Sequence, residues 1–212
     1  MTPRSNRSLA HDVAVNQARC CWAGTDPAMI AYHDREWGTP VHDDRVLFEF
    51  LVLEGAQAGL SWSTILHRRD GYRRAYREFD PAKVARFGER DVVRLMADER
   101  IIRNKAKIEW SIRNAQAFLA VQRERGSFAE YLWAYVGGEP VVNRPRASAD
   151  VPARTELSDA LSTDLRKRGF GFVGSTICYA YLQAVGVVND HAATCFLAPP
   201  PGKRRKRGVS SR

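Results

Sequence analysis

No apolar run in this 212-residue chain approaches the roughly 18 residues that cross a bilayer, so no membrane span is expected. The first 18 residues, MTPRSNRSLAHDVAVNQA, lack the apolar core of a secretory signal, and a soluble cytoplasmic protein is expected. Cysteine is scarce: Cys20, Cys21, Cys178 and Cys195 are all there is. Without a secretory signal a disulfide framework is not expected, which leaves metal ligation or simple burial for these thiols. Alternating apolar and polar residues, the mark of half-buried strands, are missing, and no segment repeats. Net charge is also lacking over most of the chain. Of the formal +9, six positive charges sit in the last ten residues, KRRKRGVSSR, which carry no acid. Such a tail strengthens binding to any polyanion in a salt-dependent way; a merely solubilising extension is the competing reading.

What is present is helical periodicity. Residues 45–66 read as apolar helix, broken or restarted near Gly59 and Ser61. Asp80-Pro81 is a helix start, with the acid at the cap and proline in the first turn. Residues 101–123 repeat apolar positions at Ile101, Ile102, Ala106, Ile108, Ile112, Ala115 and Leu119, the pattern of a long amphipathic helix. Phe128–Val136 and Leu157–Arg168 are shorter helices, and the intervening GGEPVVNRPRASADVPA is a loop. The fold class is all-α. In LRKRGFGFVGSTICYAYLQAVG a basic helix ends at Gly169. Gly171 and Gly174 follow, and a second helix starts near Ser175 or Thr176. Glycines let backbone N–H groups approach a partner closely, and a helix N-terminus favours an anion. A plain helix–helix connection explains the same pattern.

Three groups of residues could carry chemistry. In LEGAQAGLSW, Glu54 follows the apolar run FEFLV, where an ionised carboxylate is costly unless paired, hydrogen-bonded or protonated. On a continuous helix Glu54, Ala58 and Ser61 would share a stripe, with Gln57 beside it and Trp62 on its edge. Glu49 points elsewhere, so no paired-carboxylate site is expected. HAATC places His191 and Cys195 four residues apart on one helical face, where one ion could take both. A second set, Cys20 or Cys21 with His33, would close a tetrahedral site, structural because no coordination position stays open. Bridging residues 20 and 195 could stabilise by about 5 kcal/mol if loop-closure arithmetic transfers. Trp22, Tyr32, Trp37, Trp62, Tyr179 and Tyr181 supply aromatic faces suited to stacking on a base, or simply to core packing.

The segments RCCWAGTDPAMIAYHDREWGTPVHDD, LFEFLVLEGAQAGLSWSTIL, FDPAKVARF, IIRNKAKIEWSIRNA and LSTDLRKRGFGFVGSTICYAYLQAVGVVNDH, with the final HAATC, resemble the 3-methyladenine DNA glycosylase I family. That family is part of the helix-hairpin-helix glycosylase group. The resemblance runs in order from about Arg19 to Leu197. It implies a two-lobed, all-α glycosylase domain over 19–198 with its hairpin at about 165–185. Segments 1–18 and 199–212 would be disordered extensions. It implies backbone phosphates gripped at Gly169, Gly171, Gly174, Ser175 and Thr176, and a structural zinc held by Cys20, His33, His191 and Cys195, joining the two ends of the domain. Cys21 fills a variable place and Cys178 packs in the hairpin helix. Glu54 would bind the damaged base and serve catalysis, with Tyr32, Trp37 and Trp62 around it and Trp62 as the stacking partner. Position 29, a pocket tyrosine in some members, is Met29 here. Where many helix-hairpin-helix glycosylases carry an essential aspartate this chain has Asn189; Asp190 follows but is not assigned that role.

The implied activity is hydrolysis of the N-glycosidic bond of 3-methyladenine in double-stranded, alkylated DNA by base flipping, leaving an abasic site. With no lyase lysine beside the hairpin, a monofunctional, monomeric enzyme is expected. The alternatives are a non-catalytic binder of DNA or damaged bases with the same fold, and a zinc-stabilised scaffold recruited through its basic tail.

Overall fold

The computed structural model describes residues 17–200. The expectations for the N-terminal extension up to residue 16 and for the basic tail from residue 201 onward lie outside the described residues. Ten α-helices carry the described chain, and most start at a side-chain cap. Helix α1 (Pro27–Arg35) begins where the Asp26 carboxylate accepts the N–H groups of Ala28 and Met29, with Pro27 in the first turn. Helix α2 (Asp44–Gln57) begins in the same way at Asp43, and Leu47 to Ala56 are all buried. A helix apolar on every side belongs at the centre. It packs against α3 (Trp62–Leu66) and α7 (Lys105–Arg125), and also against α8 (Phe128–Trp133) and α10 (Ser175–Ala184).

The break near Gly59 is where the sequence puts it. Helix α2 ends at Gln57, Gly59 takes a left-handed φ of +79°, and Ser61 Oγ caps α3 by accepting the N–H of Thr64. The continuous-helix stripe of Glu54, Ala58 and Ser61 therefore does not form, because the chain turns between the second and third of them. The long helix starts later than the apolar periodicity implies. Asn104 caps α7 by accepting the N–H of Lys107, leaving Ile101 buried in the preceding turn. Apolar spacing cannot distinguish a helical turn from a loop that drops the same side chains into the core.

Helices α4 (Arg69–Ala75), α5 (Pro81–Val84) and α6 (Glu89–Met96) lie between α3 and α7 in sequence, and α5 and α6 pack on α7. Asp80 caps α5 as its Asp-Pro pair implies. Helix α8 continues into a 3-10 turn to Val136, and α9 (Glu156–Lys167), capped by Thr155, packs beside α10. The expected loop between α8 and α9 holds one departure: Val141 and Val142 pair in parallel with Val188 and Asn189. This two-residue bridge leaves the class all-α. Among the described residues no helix is long and apolar enough to cross a membrane.

One acid ties the centre together. The Asp44 carboxylate, in the first turn of α2, accepts the N–H groups of Phe128 and Ala129, both at 2.8 Å, and Nε2 of Gln122 at 2.6 Å. It thereby satisfies two first-turn donors of α8 that have no partner within their own helix. Asp44→Ala should lower stability by about 1–3 kcal/mol in urea unfolding at pH 7, with Asp44→Asn less damaging. A change below about 0.5 kcal/mol would contradict this role.

Candidate active site and metal centre

Helices α1, α2, α3 and α10 meet around a cavity of about 130 Å³ lined by Tyr32, Trp37, Glu54, Gln57, Trp62, Ala180 and Gln183. A cavity of this class can take a flat aromatic ring. All four residues of the expected base pocket are on its wall; Met29 is not. The Tyr32 and Trp62 rings lie 5.1 Å apart, and Phe50 stacks behind Trp62 at 6.4 Å with planes 22° apart. The remaining aromatics of the expected cluster serve elsewhere. Trp22 meets the edge of Trp37 from outside at 4.9 Å. Tyr179 donates to Asp190, and Tyr181 to the carbonyl of Leu47 at 3.2 Å.

Two polar groups on this wall have no partner among the described residues. The Trp62 indole N–H is buried without an acceptor. Glu54 is 4% exposed and makes no hydrogen bond or ion pair, and burial alone pushes its carboxyl from 4.5 up to about 8. Glu49, one and a half turns earlier on α2, shows the ordinary solution: Arg69 donates to it at 2.7 Å and Arg73 at 2.9 Å. Arg69 also holds Glu36 at 2.9 and 2.7 Å and lies over the Phe50 ring at 5.0 Å. At neutral pH burial thus favours the neutral carboxylic acid at Glu54, and a cation beside it would induce it to ionise.

The hairpin between α9 and α10 uses its glycines in three ways. Gly169 takes φ +89° to end α9, and its N–H donates to the carbonyl of Arg166. Gly171 is clasped on both sides by Asn114, its N–H donating to Oδ1 at 2.8 Å and its carbonyl accepting from Nδ2 at 2.9 Å. The Trp110 ring lies where a Cβ on Gly171 would stand, only 2.2 Å away. The N–H groups of Gly169 and Gly171 are therefore engaged within the protein. Gly174 caps α10 with no side-chain hydrogen bond, and the first intrahelical bond there is Cys178 N–H to its carbonyl. Among the described residues the N–H groups of Ser175, Thr176 and Ile177 are the unpaired first-turn donors. Arg166 Nη2 lies 3.7 Å from the Cβ position of Gly174, so a guanidinium adds its positive charge to the positive end of this helix.

The metal-ligating types also converge. Cys20, His33, His191 and Cys195 are all buried, and one donor atom from each lies within 4.8 Å of every other. Cys20 Sγ is 3.6 Å from His191 Nδ1, and Cys195 Sγ is 3.5 Å from that nitrogen and 3.4 Å from His33 Nε2. The outward nitrogens are held separately: His33 Nδ1 by Asp34 at 2.8 Å and His191 Nε2 by the Trp37 carbonyl at 3.1 Å. This fixes each ring with its other nitrogen facing the sulfurs. The expected helix across HAATC does not form; residues 192–195 are a turn. Cys21 is exposed, and Cys178 is buried on α10. Asp190 is buried and accepts from Asn143, Tyr179 and Gln183; these three donors tie it to the scaffold.

Sequence reasoning missed Ala180 and Gln183 on the pocket wall, Asn114 behind the hairpin, and the Arg69 cluster. Only a three-residue spacing on a helix pointed to the first two, and nothing local pointed to the others.

The raised Glu54 carboxyl has a stability consequence of defined sign. Between about pH 4.5 and 8 the unfolded chain releases a proton that the folded chain keeps, so stability falls as pH rises through that window. At 1.36 kcal/mol per unit the loss is on the order of a few kcal/mol. Glu54→Gln should unfold at a higher temperature than the parent at pH 8, with the gap closing toward pH 4.5. An equal gap at both ends would show that Glu54 ionises normally.

The sequence matches the model of the methyladenine glycosylase family over residues 22–198. A protein from Escherichia coli (strain K12) called DNA-3-methyladenine glycosylase 1 is 48% identical over 181 residues, 85% of this chain and 97% of its own. A Haemophilus influenzae protein called DNA-3-methyladenine glycosylase is 45% identical over 177 residues, 84% of this chain and 96% of its own. A solved variant of 3-methyladenine DNA glycosylase I in complex with 3-methyladenine superposes with a TM-score of 0.83. It is 35% identical and covers 86% of this chain and 98% of its own. The cavity that holds Glu54, the hairpin beside it and the buried Cys/His cluster thus lie in a chain that belongs to the methyladenine glycosylase family.

Proposed function

We propose that the protein excises 3-methyladenine from alkylated, double-stranded DNA as a monofunctional glycosylase, acting as a monomer through a catalytic unit spanning residues 19–198. The observation that carries this reading is Glu54, an acid with no partner, buried in an aromatic-walled cavity beside a helix-hairpin-helix. Methylation at N3 makes the adenine of the nucleotide cationic and weakens its glycosidic bond. Flipping it out of the stack costs a few kcal/mol, least for a damaged base.

In the pocket, Tyr32, Trp37 and Trp62 offer ring faces to the base, and Trp62 is the stacking partner. The cation ionises Glu54, which then accepts hydrogen bonds from the edge carrying the exocyclic amine. A neutral, undamaged adenine gives no such Coulombic return for ionising a buried acid. Guanine presents O6, an acceptor, where adenine presents its amine, so it meets the ionised carboxylate poorly. As the bond between N9 and C1′ breaks, its electron pair stays with the base, which leaves neutral. Water attacks C1′ and loses a proton to solvent, giving the abasic sugar. The negative field of Glu54 and of the neighbouring phosphates stabilises the oxocarbenium ion on the way. Ser175 and Thr176, with Gly174, offer the first-turn N–H groups of α10 to a phosphate, while Gly169 and Gly171 shape the loop that presents them.

For the metal, a tetrahedral ion with bonds of about 2.0–2.3 Å places nitrogen and sulfur donors roughly 3.5 Å apart. The three Cys–His spacings of 3.4–3.6 Å that link Cys20, His191, Cys195 and His33 fit zinc in a closed, structural site. Its contribution would be to hold the segment bearing Tyr32 and Trp37 against the one following α10.

The test is release of free 3-methyladenine from methylated duplex DNA under single-turnover conditions. The parent protein should release the base, and Glu54→Gln should slow release about 10²-fold. No free base from the parent, with DNA binding intact, would leave only a damage-binding role. Elemental analysis should find about one zinc per chain. Loss of that metal in a His191→Ala variant should leave a protein that unfolds at lower temperature.

A further inference from the structure

Helix α7 presents Lys107, Trp110 and Asn114 at i, i+3 and i+7, so the three share one face and lie within about 10 Å of helix length. Two of them meet the hairpin at Gly171 and the third meets the end of α2. Asn114 clasps the two polar groups of Gly171, and Trp110 fills the space beside that glycine. Phe172, the next residue, takes a left-handed φ of +55° and brings its Cβ to 3.4 Å from the Cβ position of Gly55, the neighbour of Glu54.

Lys107 acts at the other end of this face. Its Nζ donates to the carbonyls of Ala56 at 2.7 Å and Ala58 at 2.6 Å. Between them, the carbonyl of Gln57 accepts the N–H of Leu60 at 2.6 Å. Helices α1, α4, α7 and α8 end with a backbone N–H at the cap; α2 has none at Ala58. Its orphan carbonyls, and the negative end of its dipole, are served by an ammonium from another helix. Lys107 is half-buried and has no carboxylate partner among the described residues, and burial lowers its pKa from the ordinary lysine value. A lysine held this way is committed to those two carbonyls.

The segment it holds is the four-residue turn Ala58–Ser61, which joins the helix bearing Glu54 to the helix bearing Trp62. Gly59 and Leu60 are exposed at its tip. The Gln57 side chain, on the cavity wall, also donates to the carbonyl of Leu60 at 3.3 Å. Any shift of this turn changes how far the Trp62 ring stands from the Glu54 carboxyl.

We propose that Lys107 is a positioning residue for base excision: by pinning the carbonyls of Ala56 and Ala58 it sets the Ala58–Ser61 turn, and with it the spacing of Glu54 and Trp62. Asn114 does the corresponding work for the hairpin from the same helix face. Pocket and phosphate grip are thereby referred to a single rigid element. This inference rests on the glycosylase reading above.

The experiment compares the parent with Lys107→Met, Lys107→Gln and Lys107→Arg. It measures affinity for undamaged duplex DNA, the saturating single-turnover rate of 3-methyladenine release, and the urea midpoint. Met keeps the length of the side chain and removes charge and donors. Lys107→Met should bind undamaged DNA within twofold of the parent yet release the base at least tenfold more slowly at saturation. Lys107→Gln, able to donate to these carbonyls only through one amide, should fall between, and Lys107→Arg should recover at least half of the logarithmic loss. Asn114→Ala should show the reverse split, with affinity for undamaged DNA falling more than the saturating rate. The inference is overturned if a folded Lys107→Met protein releases the base within twofold of the parent rate. It is equally overturned if rate and DNA affinity fall together, or if the rate loss matches the unfolded fraction given by the urea midpoint. Should Lys107→Met not fold, the Gln and Arg variants decide by the same criteria. A parent protein that releases no base refutes the glycosylase reading itself, whereas a fast Lys107→Met refutes only the role of Lys107.

Discussion

The site is organised around a single carboxyl group kept dry and unpaired. Helix α2 carries two buried glutamates, and they illustrate opposite solutions to the same electrostatic problem. Glu49 is neutralised by Arg69 and Arg73. Glu54 has no cation, and the buried guanidinium of Arg69 is already shared between Glu36 and Glu49. With Glu36 and Glu49 both drawing on it, Arg69 makes no ion pair with Glu54. The consequence is an environment that disfavours Glu54 ionisation when empty and rewards a positively charged occupant. Arg69 also lies on Phe50, which backs the Trp62 ring, so the same ion cluster stiffens the wall it declines to neutralise.

Holding that geometry is the task of contacts made away from the cavity itself. His191 contributes one nitrogen to the Cys/His cluster and presents the other to the carbonyl of Trp37, so a ligand candidate and a pocket wall share one imidazole. Helix α10 is equally double-ended. Its first turn supplies the unpaired N–H groups of the hairpin, and Ala180 and Gln183, about 8–12 Å further along its axis, line the cavity. A backbone held at one end of a rigid helix is therefore placed at a fixed distance from the pocket at the other. Enzymes that act on an extruded base need such a fixed distance, because the flipped nucleotide stays tethered to the strand being gripped.

Much of this was legible in the residues because it is local. Asp80-Pro81, the Gly59-Leu60-Ser61 break and Gly169 each announce a backbone event through the chemistry of a cap or a left-handed φ, and each occurs where expected. Residue types and spacing singled out Glu54 with its aromatic neighbours and a metal set of His191, Cys195, His33 and Cys20 or Cys21, and the family resemblance chose Cys20 and assigned the pocket roles. What stayed hidden is non-local. Nothing in the sequence singled out Lys107 or Asn114 on the long helix. Their partners, the carbonyls of Ala56 and Ala58 and the backbone of Gly171, are more than 45 residues away and carry no side-chain signature. The stripe drawn through Glu54, Ala58 and Ser61 failed for a related reason: helical spacing was extended across a glycine that ends the helix.

The hairpin shows why a glycine pattern by itself is weak evidence for an anion site. Of its three glycines, one is needed for its φ and one because an indole and an asparagine amide occupy the space around it. Only Gly174 leaves donors open to the outside. The glycine at 171 is thus specified by Trp110 and Asn114 on α7, and the first half of its loop is held because the N–H groups of Gly169, Phe170 and Gly171 are already satisfied inside the protein. A loop spending those donors internally cannot wrap a phosphate in the manner of a flexible glycine-rich cradle. It can instead hold the first turn of α10 in one orientation, with three N–H groups unpaired among the described residues and the Arg166 guanidinium beside Gly174. Rigidity, in this arrangement, is what turns an ordinary helix end into a reference point for the pocket at the other end of the same helix.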